Sequence, residues 1–129
     1  MIKKTGIALL AAAIVLAGCS TTLPVRNVAD APVQSNLARV TQDDVQRAIL
    51  RAGAQYGWQM TPKQPGLIEG TLNLRRHMAK VNIRFDEKTY SITYADSVEL
   101  QYDGANIHKN YNGWIQNLDN AIQVQLKTL

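Results

Sequence analysis

Between Leu67 and Tyr102 the apolar residues fall on every second position, and that period decides most of what this chain can fold into. In 67–75, Ile68, Leu72 and Leu74 share one parity, while Glu69, Thr71, Asn73 and Arg75 share the other. In 77–85, Ala79, Val81, Ile83 and Phe85 oppose Met78, Lys80, Asn82 and Arg84. In 89–94, Tyr90, Ile92 and Tyr94 alternate with Ser91 and Thr93; in 98–102, Val98, Leu100 and Tyr102 alternate with Glu99 and Gln101. Successive side chains of an extended chain point to opposite faces, so each run has one apolar and one polar face. The runs are separated by the polar turn Asp86-Glu87-Lys88 and closed by Asp103-Gly104. They predict an antiparallel meander with one face on a core and the other toward water. Asp96 would point inward in a continuous 89–102 strand, and a lone buried carboxylate is costly. A bulge or turn is therefore expected at Ala95-Asp96-Ser97.

Two helices flank the meander. Thr41 followed three residues later by Asp44 has the form of a capping box, with Asp in place of the usual Glu. Val45, Ala48, Ile49, Ala52 and Tyr56 then recur at helical spacing, Arg47 and Arg51 lie on the far side, and Gly57 suits a stop. The helix is placed at 42–55. A second helix runs from about Asn110, as cap, to Lys127, with Tyr111, Trp114, Ile115, Leu118, Ile122 and Leu126 as its apolar stripe. Trp114 is expected to pack on the inner face of the sheet near Val81, Ile83 and Ile92. Between the first helix and the meander, 58–60 suits a short strand and 61–66, with Pro62 and Pro65-Gly66, a turn. The fold expected is α+β: a two-layer sandwich with two helices packed on one face of a three- to four-stranded antiparallel sheet, in the order α-β-β-β(β)-α.

The N-terminal end carries a different signal. Lys3 and Lys4 precede an unbroken apolar run from Ile7 to Leu16. At ~1.5 Å per residue that run covers about half of a ~30 Å hydrocarbon core, which suits a secretory signal better than a membrane span. Leu16-Ala17-Gly18-Cys19 follows and resembles the bacterial lipobox; Cys19 is the chain's one cysteine. The resemblance implies cleavage before Cys19, a diacylglycerol thioether on its sulfur and an acyl group on the new amine. One acyl chain holds a protein only marginally, at ~0.8 kcal/mol per buried CH₂, whereas several make a stable anchor. No other cofactor is expected. Ser20 follows the cysteine, where Asp resembles the inner-membrane retention signal. In a Gram-negative source the expected location is thus the outer membrane, facing the periplasm. The expected organisation is signal peptide 1–18, lipidated cysteine and flexible tether 19–40, and a single α+β periplasmic domain 41–129. The tether rests on irregular apolar spacing and on Pro24 and Pro32.

Composition limits the partners. Without Lys3 and Lys4, the 14 basic side chains of the chain become 12 against 10 acidic ones. That near-balance gives no reason to expect nucleic acid. His77 and His108 have no metal-ligand spacing, so no metal is expected. Asp96, Ser97 and His108 are the residue types of a hydrolase triad, but nothing like a Gly-x-Ser-x-Gly elbow surrounds Ser97. No catalytic residue is assigned. The candidate binding residues are Arg75, Lys80 and Arg84 on the polar sheet face, and Gln116 and Asn120 on an outer face of the last helix that is rich in amides. Such surfaces suit an envelope protein or a glycan.

The stretch Ile107-His108-Lys109-Asn110-Tyr111-Asn112-Gly113-Trp114 resembles one found in small uncharacterised lipoproteins of Gram-negative bacteria, over a region from Pro65 to Leu126. The resemblance implies the lipoprotein class and no activity. The reading is a membrane-anchored, non-catalytic binding or adaptor module, monomeric as a domain. The alternatives are an envelope hydrolase using Asp96, Ser97 and His108, or a structural or stress-related envelope lipoprotein.

Overall fold

The computed structural model describes residues 20–129. The signal sequence, the lipobox residues Leu16, Ala17 and Gly18, and Cys19 itself lie outside the described residues. The elements run β1 (Thr22–Pro24), β2 (Val28–Pro32), α1 (Gln42–Gln55), β3 (Gln59–Gln64), β4 (Leu67–Leu74), β5 (His77–Phe85), β6 (Thr89–Val98), β7 (Asn106–His108) and α2 (Lys109–Lys127). The fold is α+β. Its main sheet has five strands in the order β2-β6-β5-β4-β3, all antiparallel, and β1 pairs with β7 in a separate two-stranded ribbon.

The alternation in 67–94 is what builds the core. Register places Ile68, Ile83, Ile92 and Val28 side by side across four strands, all buried. The same face carries Gly70, Val81, Leu72 and Ala79. It forms one cluster with Val45, Ala48, Ile49 and Ala52 of α1 and with Tyr111, Ile115, Leu118, Ile122 and Leu126 of α2. The capping box is formed: Thr41 Oγ1 accepts from Asp44 N at 3.1 Å, and Thr41 N donates to Asp44 Oδ2 at 3.0 Å. The Thr41 backbone N–H, and then the Thr41 side chain, hold the Asp44 carboxyl below its ordinary pKa. Gly53 and Gly70 make a notch for Met60. A Cβ on Gly53 would stand 2.4 Å from Met60 Cγ, and one on Gly70 would stand 3.1 Å from its sulfur. That is why α1 tolerates a helix-weakening glycine in its last turn.

Several expectations are corrected. The sheet has five strands rather than three or four, and the order is β-β-α-β-β-β-β-β-α. The segment expected as a tether contains β1 and β2. Val28, Ala31 and Pro32 align with Ile92, Tyr90 and Thr89, and Val28 is 8% exposed. Edge strands are recruited by backbone pairing, which leaves little trace in hydrophobic period. Pro62 lies within β3 rather than in a turn. β3 is the sheet's other edge, where a missing N–H costs no ladder bond. The expected strand at 98–102 is absent: β6 ends at Val98, and Glu99 and Gln101 adopt φ of 59° and 56°. The irregularity at Asp96 is a bulge. Lys80 pairs with Asp96 but Val81 pairs with Tyr94, leaving Ala95 as the extra residue. His108, not Asn110, caps α2, with its Nδ1 accepting from Asn110 N at 3.1 Å.

Two α2 residues also stand elsewhere than expected. Trp114 is half-buried, beside Tyr56, Trp58, Leu72 and Asn117 and away from the Val81–Ile83 centre. Asp119, which the helical period groups with Gln116 and Asn120 on the outer amide face, is 7% exposed and accepts a 2.5 Å bond from Tyr90 Oη. Burial and then the Asp119 carboxyl push the Tyr90 phenol far above its ordinary pKa, so it stays a donor. Removing one partner leaves the other unsatisfied at a cost of ~1–3 kcal/mol. Urea melts of Asp119→Ala should show a loss of that size. The double variant Tyr90→Phe/Asp119→Leu should lose clearly less than the two single changes added together.

Candidate functional site

The expected binding residues fall on separate surfaces. Lys80 and Arg84 lie on β5 with the parity opposite to buried Val81 and Ile83. Lys80 Nζ is 3.7 Å from Glu69 Oε1, which Lys63 Nζ also approaches at 4.0 Å, so this face is partly self-neutralised. Gln116 and Asn120 bond each other, Nε2 to Oδ1 at 2.9 Å, on α2. The core separates them from the polar sheet face, so the five candidates do not form one site. Arg75 stands apart from both, in the β4–β5 turn with Arg76, exposed and at φ 57°.

That turn belongs to an end of the molecule that the sequence did not mark as a unit. Thr21 O accepts from Lys109 N at 2.8 Å, and the Thr21 hydroxyl donates to Gln101 Oε1 at 3.1 Å. Thr22 pairs with His108, whose N–H donates to Leu100 O at 2.8 Å. The His108 ring lies 6.3 Å from that of His77, and His77 Nδ1 is 2.8 Å from Glu99 O. His77 pairs with Leu74 across the Arg75-Arg76 turn. Asn112 closes the other side, accepting from Arg26 N and donating to Pro24 O, both at 2.9 Å. One network thus ties the first described residues to the 99–101 segment, to the start of α2 and to the β4–β5 tip.

This end also holds local strain. Arg75, Glu99 and Gln101 all sit in the left-handed region, which costs a non-glycine residue roughly 1–2 kcal/mol. Leu100, 1% exposed between two of them, pins the segment into the core. Beside it Tyr94 and Tyr102 stack at 4.0 Å, and Tyr94 meets Tyr111 edge-on at 5.8 Å. An open hollow of about 410 Å³ is lined by Tyr94, Asp96, Ser97, Glu99, Gln101 and Tyr102.

Asp96, Ser97 and His108 are not assembled for nucleophilic chemistry. Ser97 Oγ is 2.7 Å from Tyr94 Oη, Asp96 Oδ1 accepts from Ser97 N at 2.8 Å, and His108 Nδ1 is engaged as the α2 cap. Among the described residues no hydrogen bond joins the three side chains, and no group of three His, Cys, Asp or Glu is placed to hold a metal. No protein-family model matches the chain, and neither a curated protein nor a solved structure does. Among the described residues no helix is long and apolar enough to cross a membrane.

Proposed function

We propose that the chain is an envelope lipoprotein, held to the bilayer by lipid on Cys19, whose domain acts as a non-catalytic binding or adaptor module. The observation that carries this reading is the order of the N-terminal residues: two lysines, an apolar run too short to span, then Leu16-Ala17-Gly18-Cys19. The anchor supplies the membrane partner, and Ser20 supports the outer membrane as destination. Both helices are read as covering the apolar face of the sheet, because their buried residues share one core cluster with it. That leaves the polar sheet face and the Gln116–Asn120 side of α2 open to an envelope protein or a glycan.

Cells fed a fatty-acid analogue should incorporate it into the wild-type protein and not into Cys19→Ala. The variant should leave the detergent phase on partitioning. Undiminished label on Cys19→Ala would refute the anchor.

A further inference from the structure

We infer that the end of the domain formed by Thr21, β1, the 98–102 segment, the start of α2 and the β4–β5 tip is its bilayer-facing surface, laid flat on phospholipid headgroups rather than swinging on a leash. The inference rests on Cys19 carrying the lipid and adds an orientation to that reading.

The first ground is the absence of slack. Cys19 is two residues before Thr21. At ~3.6 Å per residue, fully extended, their Cα atoms are at most about 7 Å apart. That is comparable to one headgroup layer, since ~40–45 Å of bilayer encloses a ~30 Å core. Thr21 is already bonded to Lys109 and Gln101, and Thr22 and Leu23 are in a ladder with His108 and Ile107. An anchor at the glycerol level therefore brings this end, and no other, against the interface.

The second ground is what the end displays. Of the seven large apolar side chains that are exposed among the described residues, four lie here: Leu23, Leu74, Val98 and Tyr102. Each is bonded or paired into the Thr21 network or lies within two residues of a member of it. Arg75 and Arg76 project at the tip of the β4–β5 turn, and Lys109 lies beside Thr21. Among the described residues these three cations make no ion pair. Glu99 and Asp96 share the region, so the surface is mixed in sign rather than purely basic. Scattered aliphatic groups, an amphipathic tyrosine and long cationic side chains are the chemistry of an interfacial contact, with apolar parts below the phosphates and charges among them. Arg75 is held at a strained φ that glycine would adopt freely, which favours a use for the side chain.

The test uses the full chain, processed in cells and reconstituted into phosphatidylethanolamine–phosphatidylglycerol vesicles that carry a headgroup-level quencher. A fluorophore is attached at Arg76→Cys or Leu23→Cys, or at Glu87→Cys in the β5–β6 turn. Glu87 lies at the opposite end of β5 from Arg76, about 27 Å away by the ~3.4 Å rise of that strand's nine residues. All three positions are exposed, so the variants should fold. Labels at 76 and 23 should be quenched several-fold more strongly than the label at 87. Equal quenching at all three, or stronger quenching at 87, on protein whose intact mass shows the lipid, overturns the orientation and leaves the anchor standing. An unmodified Cys19 overturns both.

Discussion

A chain that begins at Ala38 is expected to unfold at much lower urea than one that begins at Ser20, and to aggregate. Sequence reasoning alone favours the opposite, because 20–40 looks like a leash. In the structure that segment contributes Val28 to the core and the β2 edge to the sheet. Losing a buried valine costs about 1.5–3 kcal/mol. Each lost ladder or side-chain bond adds ~0.5–1.5 kcal/mol. Against a stability of ~5–15 kcal/mol for a domain of this kind, the sum removes much of the margin. It also uncovers the long edge of β6, a template for pairing with other chains. Equal midpoints for the two chains in urea melts would show that β1 and β2 add nothing.

Trp58→Ala should cost ~3–5 kcal/mol, and Trp114→Ala on the order of half that. Periodicity suggests the reverse, since Trp114 falls on a clean helical stripe and Trp58 sits near a turn. Trp58 is 4% exposed, while Trp114 is half-buried beside it and 6.4 Å from the His77 ring. Truncating Trp58 leaves a cavity under Leu72, whereas truncating Trp114 opens a dent to solvent. Thermal or urea melts of both variants decide it, and a larger loss at Trp114 contradicts the placement of α2.

What was legible followed from local rules. α1 begins and ends where Thr41, Asp44 and the Val45–Ala52 spacing put it, and β5 occupies 77–85 as its alternation predicts. The cost of burying Asp96 located the bulge, though not the residue that forms it. Elements held by distant backbone partners were not legible. β1 and β2 are short, carry Pro24 and Pro32, and exist because β7 and β6 offer them a ladder. The reach of β3 through Pro62 depends on its being an edge, which topology decides and the sequence does not state. Leu100 shows the limit of parity: it is buried as alternation requires, yet Val98 and Tyr102 on the same parity are 50% and 42% exposed, because Glu99 and Gln101 turn the chain back on itself.

The candidate site was less legible than the fold. Alternation puts Arg75 on a polar strand face, whereas the structure puts it at the tip of the β4–β5 turn with φ 57°. Parity groups Lys80 and Arg84 with it, but their face is separate and Glu69 partly occupies it. Gln116 and Asn120 are an amide pair on α2, while Asn112, of the same face by composition, is used to clamp Pro24 and Arg26. The network that joins Thr21, His108, His77 and Glu99 links residues far apart in sequence through backbone atoms. No spacing rule reaches such an arrangement.

Lipid attachment at Cys19 is tested most directly by the mass of the mature N-terminus, measured on protein extracted from cell envelopes. A lipoprotein anchored as proposed has Cys19 as its first residue, carrying a diacylglycerol thioether and an amide-linked acyl chain. An N-terminal peptide that starts elsewhere, or one that starts at Cys19 with a free thiol, contradicts the anchor.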